Sequence, residues 1–195
     1  MAHRTTAELE IALPTVRQAP SDNGTVELIV RRPAPEEREA VGVAELTVED
    51  GVVGDNWRAR GSRHTPDGRA EPDRQVTIMS SRAITLFAGE DRTRWMEAGD
   101  QLIVDLDLSD SNLCAGTRLR IGSAVLELTG APHPGCAKFS RRFGPDALRF
   151  ANSEEGTRLH LRGIYARVVV RGIVRVGDLA SKVGAVTPLS ASSSR

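Results

Sequence analysis

The 195-residue chain has little cysteine, no net charge and no long apolar run. Its two cysteines, Cys114 and Cys136, permit at most one bridge, and they form neither a disulfide framework nor a CxxC metal pair. A reducing compartment fits that usage. Lys plus Arg and Asp plus Glu number 26 each, so the basic excess that favours nucleic acid or an anionic membrane is missing. The expected partner is a small-molecule substrate or a protein, with no nucleic acid and no membrane. No segment approaches the run of about 20 apolar residues that spans a bilayer, and the opening has no apolar leader core. These absences predict a soluble, cytoplasmic protein. Also absent are a GxxxxGK[ST] phosphate loop, a GxSxG elbow and a dinucleotide fingerprint, which removes the sequence basis for nucleotide hydrolysis, esterase chemistry and Rossmann-type hydride transfer.

What is present is one domain's worth of apolar residues, 39% of the chain, with no internal linker. The polar stretches 1–23 and 184–195 carry too few periodic apolar residues to offset the entropy of ordering and are expected to be flexible tails around a domain at 24–183. Inside it, apolar residues recur with period two or in short β-branched runs: "TVELIV", "AVGVAELTV", "QVTIM", "RLRIG", "AVLELT" and "YARVVV". "RLRIGSAVLEL" reads as a tight hairpin. Helix signals are few, chiefly "SSRAITLFAG" and "CAKFSRRFG". The expected fold is mainly β, a barrel-like closure of short, strongly bent strands with a few short helices, which avoids exposed edges.

The stretch "GAPHPGCAKFSRRFG" (130–144) carries the most chemistry. Its HPG turn sets Cys136 near a helix start, where the dipole together with Lys138, Arg141, Arg142 and His133 favours thiolate. The competing reading is structural, because Cys136, Phe139 and Phe143 share one helix face and unpaired cysteine is commonly buried. Cys114 has no close basic neighbours and reads as incidental.

"GDNWRARGSRHTPDGRAEPDRQ" (54–75) is a long polar segment holding Asn56, Trp57, Arg58, Arg60, Arg63 and His64. Loops of this length inside a domain are usually functional or disordered; this one is expected to be a mobile lid or substrate-facing loop, the alternative being a disordered basic insertion. A zinc site from His64, His133, Cys136 and His160 has the right donor types but no supporting spacing.

The order of several blocks resembles the MOSC domain, the module at the C-terminus of molybdenum cofactor sulfurases and in stand-alone bacterial proteins. The blocks are "DGVVGDNW" (50–57), "DRQVTIMSSRAI" (73–84), "GDQLIVDLDLSDSNLCAGTRLRIGSAVLELTG" (99–130), "HPGCAKF" (133–139) and "RGIYARVVVRGIVRVGD" (162–178). The resemblance covers about Gly24 to Lys182. Two places depart from the family pattern: Asp100 and Gln101 stand where Glu and Asn are usual, and Gly135 precedes the cysteine where Pro is usual.

The resemblance implies a β-rich barrel and a role for Cys136 in carrying sulfur or ligating molybdenum, both suited to thiolate. The molybdenum cofactor (molybdopterin) also carries phosphate and a polar pterin, which need cationic or backbone donors. Arg74 matches a family arginine and Arg162 the late arginine-glycine block; the alternatives are a solvated edge and a surface strand-entry residue. Lys138, His133, Asn56 and His64 are further candidates for cofactor contact.

Three functions follow from the resemblance. The first is an enzyme in which Cys136 ligates the metal and the cofactor supports reduction of a small N-hydroxylated compound, with a separate reductase as partner. The second is a sulfur carrier holding a persulfide on Cys136, loaded by a pyridoxal-phosphate cysteine desulfurase. The third is a non-catalytic binding barrel, suggested by the altered "GDQL".

Overall fold

Strands form where β-branched and aliphatic residues alternate or run together, and seven of them close on one another. The computed structural model describes residues 3–183; the closing stretch read as a tail lies outside the described residues. The strands are β1 (Gly24–Arg31), β2 (Glu39–Val41), β3 (Val43–Thr47), β4 (Gly51–Val52), β5 (Val76–Ser80), β6 (Leu102–Asp105), β7 (Arg118–Ile121), β8 (Ala124–Leu128), β9 (Ile164–Val170), β10 (Gly172–Arg175) and β11 (Leu179–Lys182). The helices are α1 (Thr6–Arg17), α2 (Trp57–Arg60), α3 (Ser81–Ala88), α4 (Arg92–Trp95), α5 (Ala137–Phe143), α6 (Pro145–Ala151) and α7 (Glu154–Arg158).

The barrel runs β11-β7-β8-β9-β5-β6-β1 and is closed by β1 against β11, with Gly24 opposite Ala180. Only the β5–β6 pair is parallel among these pairings. The expected barrel is therefore observed, with mixed strand directions. "RLRIGSAVLEL" is the expected hairpin, β7 and β8 joined across Gly122 and Ser123. "AVGVAELTV" is not one strand: β2 stays on the barrel beside β1, while β3 joins a separate three-stranded sheet with β10 and β4.

Two apolar clusters account for these strands. Val26, Ile29, Ile78, Leu102, Val104, Leu119, Ile121 and Leu126 fill the barrel interior. Leu28, Val30, Met79 and Ile103, on the opposite faces of β1, β5 and β6, pack outward against Leu9, Leu13, Ile84, Phe87, Phe139 and Phe143. Those three strands are buried on both faces, so they read as apolar runs; β7 is wet on one face and alternates.

The opening stretch is not a tail over its helical part. A reciprocal capping box between Thr5 and Glu8 starts α1, and Leu9, Leu13 and Val16 are buried in the outer cluster. The two expected helices are α3 and α5; α6 and α7 follow α5 and complete the layer that carries the 130–144 stretch. Among the described residues, no helix is long and apolar enough to cross a membrane.

Candidate functional site

At the mouth of the barrel, side chains from sequence-distant segments line a cleft of about 1070 Å³. Nine of its described lining residues are Arg or Lys, namely Arg32, Arg38, Arg60, Arg63, Arg74, Lys138, Arg141, Arg142 and Arg162, against two carboxylates, Glu36 and Glu71. A chain with no net charge has thus concentrated positive charge in one concavity, which focuses the field on an anionic ligand.

Two buried ion pairs build the cleft floor. Arg32, just past β1, forks onto Asp55 through Nε to Oδ2 at 2.8 Å and Nη2 to Oδ1 at 2.9 Å, and its Nη1 donates to the Gly99 carbonyl at 2.9 Å. Asp55 also accepts the backbone N–H groups of Arg32 and Trp57, so one carboxylate joins the β1 end to α2. Arg162 donates through Nη1 to Asp100 Oδ2 at 2.6 Å and through Nη2 to the Ala98 carbonyl at 3.0 Å, and stacks over the Phe139 ring. Asp100 is 0% and Arg162 11% exposed, so Arg162 is not the surface strand-entry residue of the alternative reading. Gly163 passes the chain onward into β9 at φ +89°, where a Cβ would lie 2.5 Å from the Ile78 carbonyl.

Segment 130–138 forms the opposite wall. Arg74 Nη1 donates to the Pro132 carbonyl at 3.0 Å, and Asn152 clamps Gly135 through both its amide atoms. His133 packs its ring 4.2 Å from Tyr165, over which Arg74 also stacks. The residue as a whole is half-buried, yet its Nδ1 lies beneath the surface without a hydrogen-bond partner. Burial, then the charges of Arg162, Arg74 and Arg32, push the His133 imidazole well below its usual pKa, against a backbone hydrogen bond at Gly163. It is neutral at pH 7. Burial, then Arg142 and Arg32, also lower Arg38, against Glu36 and Asp55.

Cys136 is the N-cap residue of α5, with extended backbone at φ −125° and ψ 177°, and its side chain is exposed at the cleft edge. Phe139 and Phe143 are buried, but Cys136 precedes the helix and does not continue their stripe, which overturns the structural reading of this cysteine.

Arg74, Lys138, Arg162, His133, Asn56 and His64 all line the same cleft as Cys136. Arg74 lies in a 3-10 turn, Pro72–Arg74, just before β5, and Arg58 pairs with Asp50 away from the cleft. The 54–75 segment does face the cleft through Asn56, Trp57, Arg60, Arg63, His64 and Arg74. It is no disordered insertion: α2, a turn closed by Thr65 onto Arg69 and the 3-10 turn give it a defined path. His160 does not join His64 and Cys136; its Nε2 lies 2.8 Å from Asp110, and it lines a smaller cavity of about 340 Å³ together with Cys114. Among the described residues, no three His, Cys, Asp or Glu side chains gather as a metal-ion group, so the zinc reading lapses.

The "GDQL" departure is integrated into the fold. Asp100 holds Arg162, while Gln101 accepts from the Thr77 backbone N–H at 2.8 Å and from its hydroxyl. Sequence reasoning missed Arg32, Asp55, Arg38, Glu36 and Tyr165. Only Arg32 left a signal, as the second of two arginines that follow the apolar triplet 28–30.

Five cleft side chains keep a buried polar atom without a partner: Arg38 Nε, Asn56 Oδ1, Arg74 Nε, His133 Nδ1 and Arg162 Nε. Arg74 Nε is 3.0 Å from Glu71 but misaligned for a hydrogen bond. Unsatisfied buried polar groups are costly and are met in proteins by ordered water or a polar ligand.

Comparison with known proteins agrees with this architecture. The family model of the MOSC domain matches residues 65–180. Among solved structures, the YuaD protein of Bacillus subtilis superposes with a TM-score of 0.62 at 19% identity, over 82% of this chain and 96% of that one. A hypothetical protein gives 0.58 at 22% identity, over 89% and 72%, and YiiM of Escherichia coli gives 0.54 at 21%, over 83% and 71%. No curated protein matches the sequence significantly. The family match begins at residue 65, so Arg32, Asp55 and Asn56 contribute to the cleft from outside it.

Proposed function

Because the chain belongs to the MOSC domain family, which is associated with molybdenum-cofactor binding, we propose that its cationic cleft holds the molybdenum cofactor, with Cys136 as the sulfur ligand to the metal. The observation that carries this reading is the exposed Cys136 thiol on the rim of a cleft whose arginine, asparagine and histidine atoms lack partners. That donor set fits the group: thiolate for a soft metal centre, arginine forks for phosphate, and amide and imidazole for a polar pterin.

When bound, the cofactor supplies a two-electron redox centre. The chain supplies position and charge. Arg38, Arg74 and Arg162 bring guanidinium groups to the cleft and Asn56 its amide, with Arg162 oriented by Asp100. Neutral His133 accepts or donates one hydrogen bond at Nδ1 without adding charge. The proposed reaction is reduction of a small N-hydroxylated compound, with electrons from a separate reductase.

A second reading is favoured by the exposure of Cys136: a thiol that a protein donor can reach suits a persulfide carrier loaded by a cysteine desulfurase. Molybdenum and pterin content of protein from a cofactor-competent host, wild type beside Cys136→Ser, separates the two. Serine is a better N-cap than cysteine at this exposed position, so the variant keeps its fold and any loss is a ligand effect. Stoichiometric metal in the wild type, lost in the variant, is the expected result. Wild type without metal or pterin overturns it, and an added sulfur atom in the intact mass then supports the carrier.

A further inference from the structure

We propose that Lys138 and Arg142 form a separate oxyanion subsite at the cleft mouth, which Glu36 fills in the free protein and vacates when a phosphate-type group of the ligand arrives. The inference rests on the cleft being a ligand site and adds where a second anionic group sits and what it must displace.

Glu36 Oε1 lies 2.5 Å from Lys138 Nζ, and Oε2 lies 2.7 Å from Arg142 Nη2. One carboxylate thus spans two cations that face the cleft from the far side of the sequence. The arrangement shows that the pair accepts a two-oxygen anion edge. Arg142 is held ready, because its Nη1 donates to the Glu97 carbonyl at 2.6 Å. Arg38 stands close enough to lower the Glu36 carboxyl further, after the larger contributions of Lys138 and Arg142.

The backbone beneath Glu36 is unusual. The Glu37 N–H donates to the Ala34 carbonyl at 3.1 Å, closing a turn with Pro35 and Glu36 at its centre, and Glu36 has φ +66°. A turn with proline first and positive φ second favours glycine in that second place. Here glutamate occupies it, so a left-handed backbone is tolerated where the side chain meets two cations. Residues held in such regions cluster at clamps and switches.

The contact is also weak enough to yield. Lys138 and Glu36 side chains are both 56% exposed, and exposed pairs contribute little net stability. A phosphate group brings more charge and more acceptor oxygens than one carboxylate to the same two donors. Glu36 therefore acts as an internal competitor that offsets part of the positive charge at the mouth and lowers affinity for stray monovalent anions.

Calorimetric titration with inorganic pyrophosphate at low salt tests this on wild type, Glu36→Gln, Glu36→Gly and the double variant Glu36→Gln, Lys138→Met. Removing the competitor is expected to tighten binding about 5- to 10-fold in both single variants, the order of one close charge contact near a surface. Glu36→Gly also relieves the turn and is expected to keep or raise Tm, which a merely structural glutamate would not allow. Adding Lys138→Met should return affinity to the wild-type value or below. Affinities of the single variants within twofold of wild type overturn the subsite while leaving the cleft as a ligand site. Absence of pyrophosphate binding in every variant overturns the subsite as well, and cofactor content then decides separately on the larger reading.

Discussion

The outer face of β7, β8 and β9 and the cleft both use arginine, with opposite results. On the outer face Glu127 sits in register between Arg118 and Arg167 and bonds both, at 2.9 and 2.6 Å, while Arg167 also reaches Asp73 at 3.3 Å. In the cleft the fixed arginines are buried on Asp55 and Asp100, and Arg38 and Arg162 still keep an unpartnered Nε. What separates a site from a cross-strand ladder is therefore whether the counter-charges are all in the chain.

The largest way to break the comparison is Asp100→Asn. It leaves Arg162 nearly buried without its anion, and the loss should be about 3–5 kcal/mol in urea unfolding. A loss under 1 kcal/mol would put Arg162 in the same class as the surface arginines.

His133 gives an intermediate effect with a defined sign. Its pKa in the fold is well below 6.5, so the unfolded chain takes up a proton that the folded chain refuses. The neutral ring's contribution is intact above about pH 6.5 and is lost as pH falls below it, by at most about 1.4 kcal/mol per pH unit until the folded-state pKa is reached. His133→Gln should flatten that part of the stability profile, and an equally steep profile in the variant would assign the acid sensitivity elsewhere.

The smallest effect belongs to the outer face. Glu127→Gln should cost no more than about 1 kcal/mol, because both arginines remain in water, and should leave pyrophosphate affinity unchanged. A drop in that affinity would show that the two faces are not electrically independent.

Much of the barrel was legible because period-two alternation survives where one strand face is wet, as in β7. The break at Gly42 was missed, although the inward phase changes there, from Val41 in β2 to Ala44 and Leu46 in β3, which pairs with the second sheet. α1 was missed although Thr5, Glu8, Leu9, Leu13 and Val16 spell a capped amphipathic helix, because the polar composition around them weighed more. At the site, motif order picked out Cys136, Arg74 and Arg162, which line one cleft. Asp55 and Glu36 were not, because their roles exist only once Arg32, Lys138 and Arg142 are brought to them across the chain.

The seam between β1 and β11 sets a timetable for synthesis. Gly24 waits for Ala180, so during translation the growing sheet carries two open edges until nearly all of the described chain has left the ribosome. Arg32 is made early and Arg162 late, so the cleft that needs both takes shape only after most of the barrel has been made.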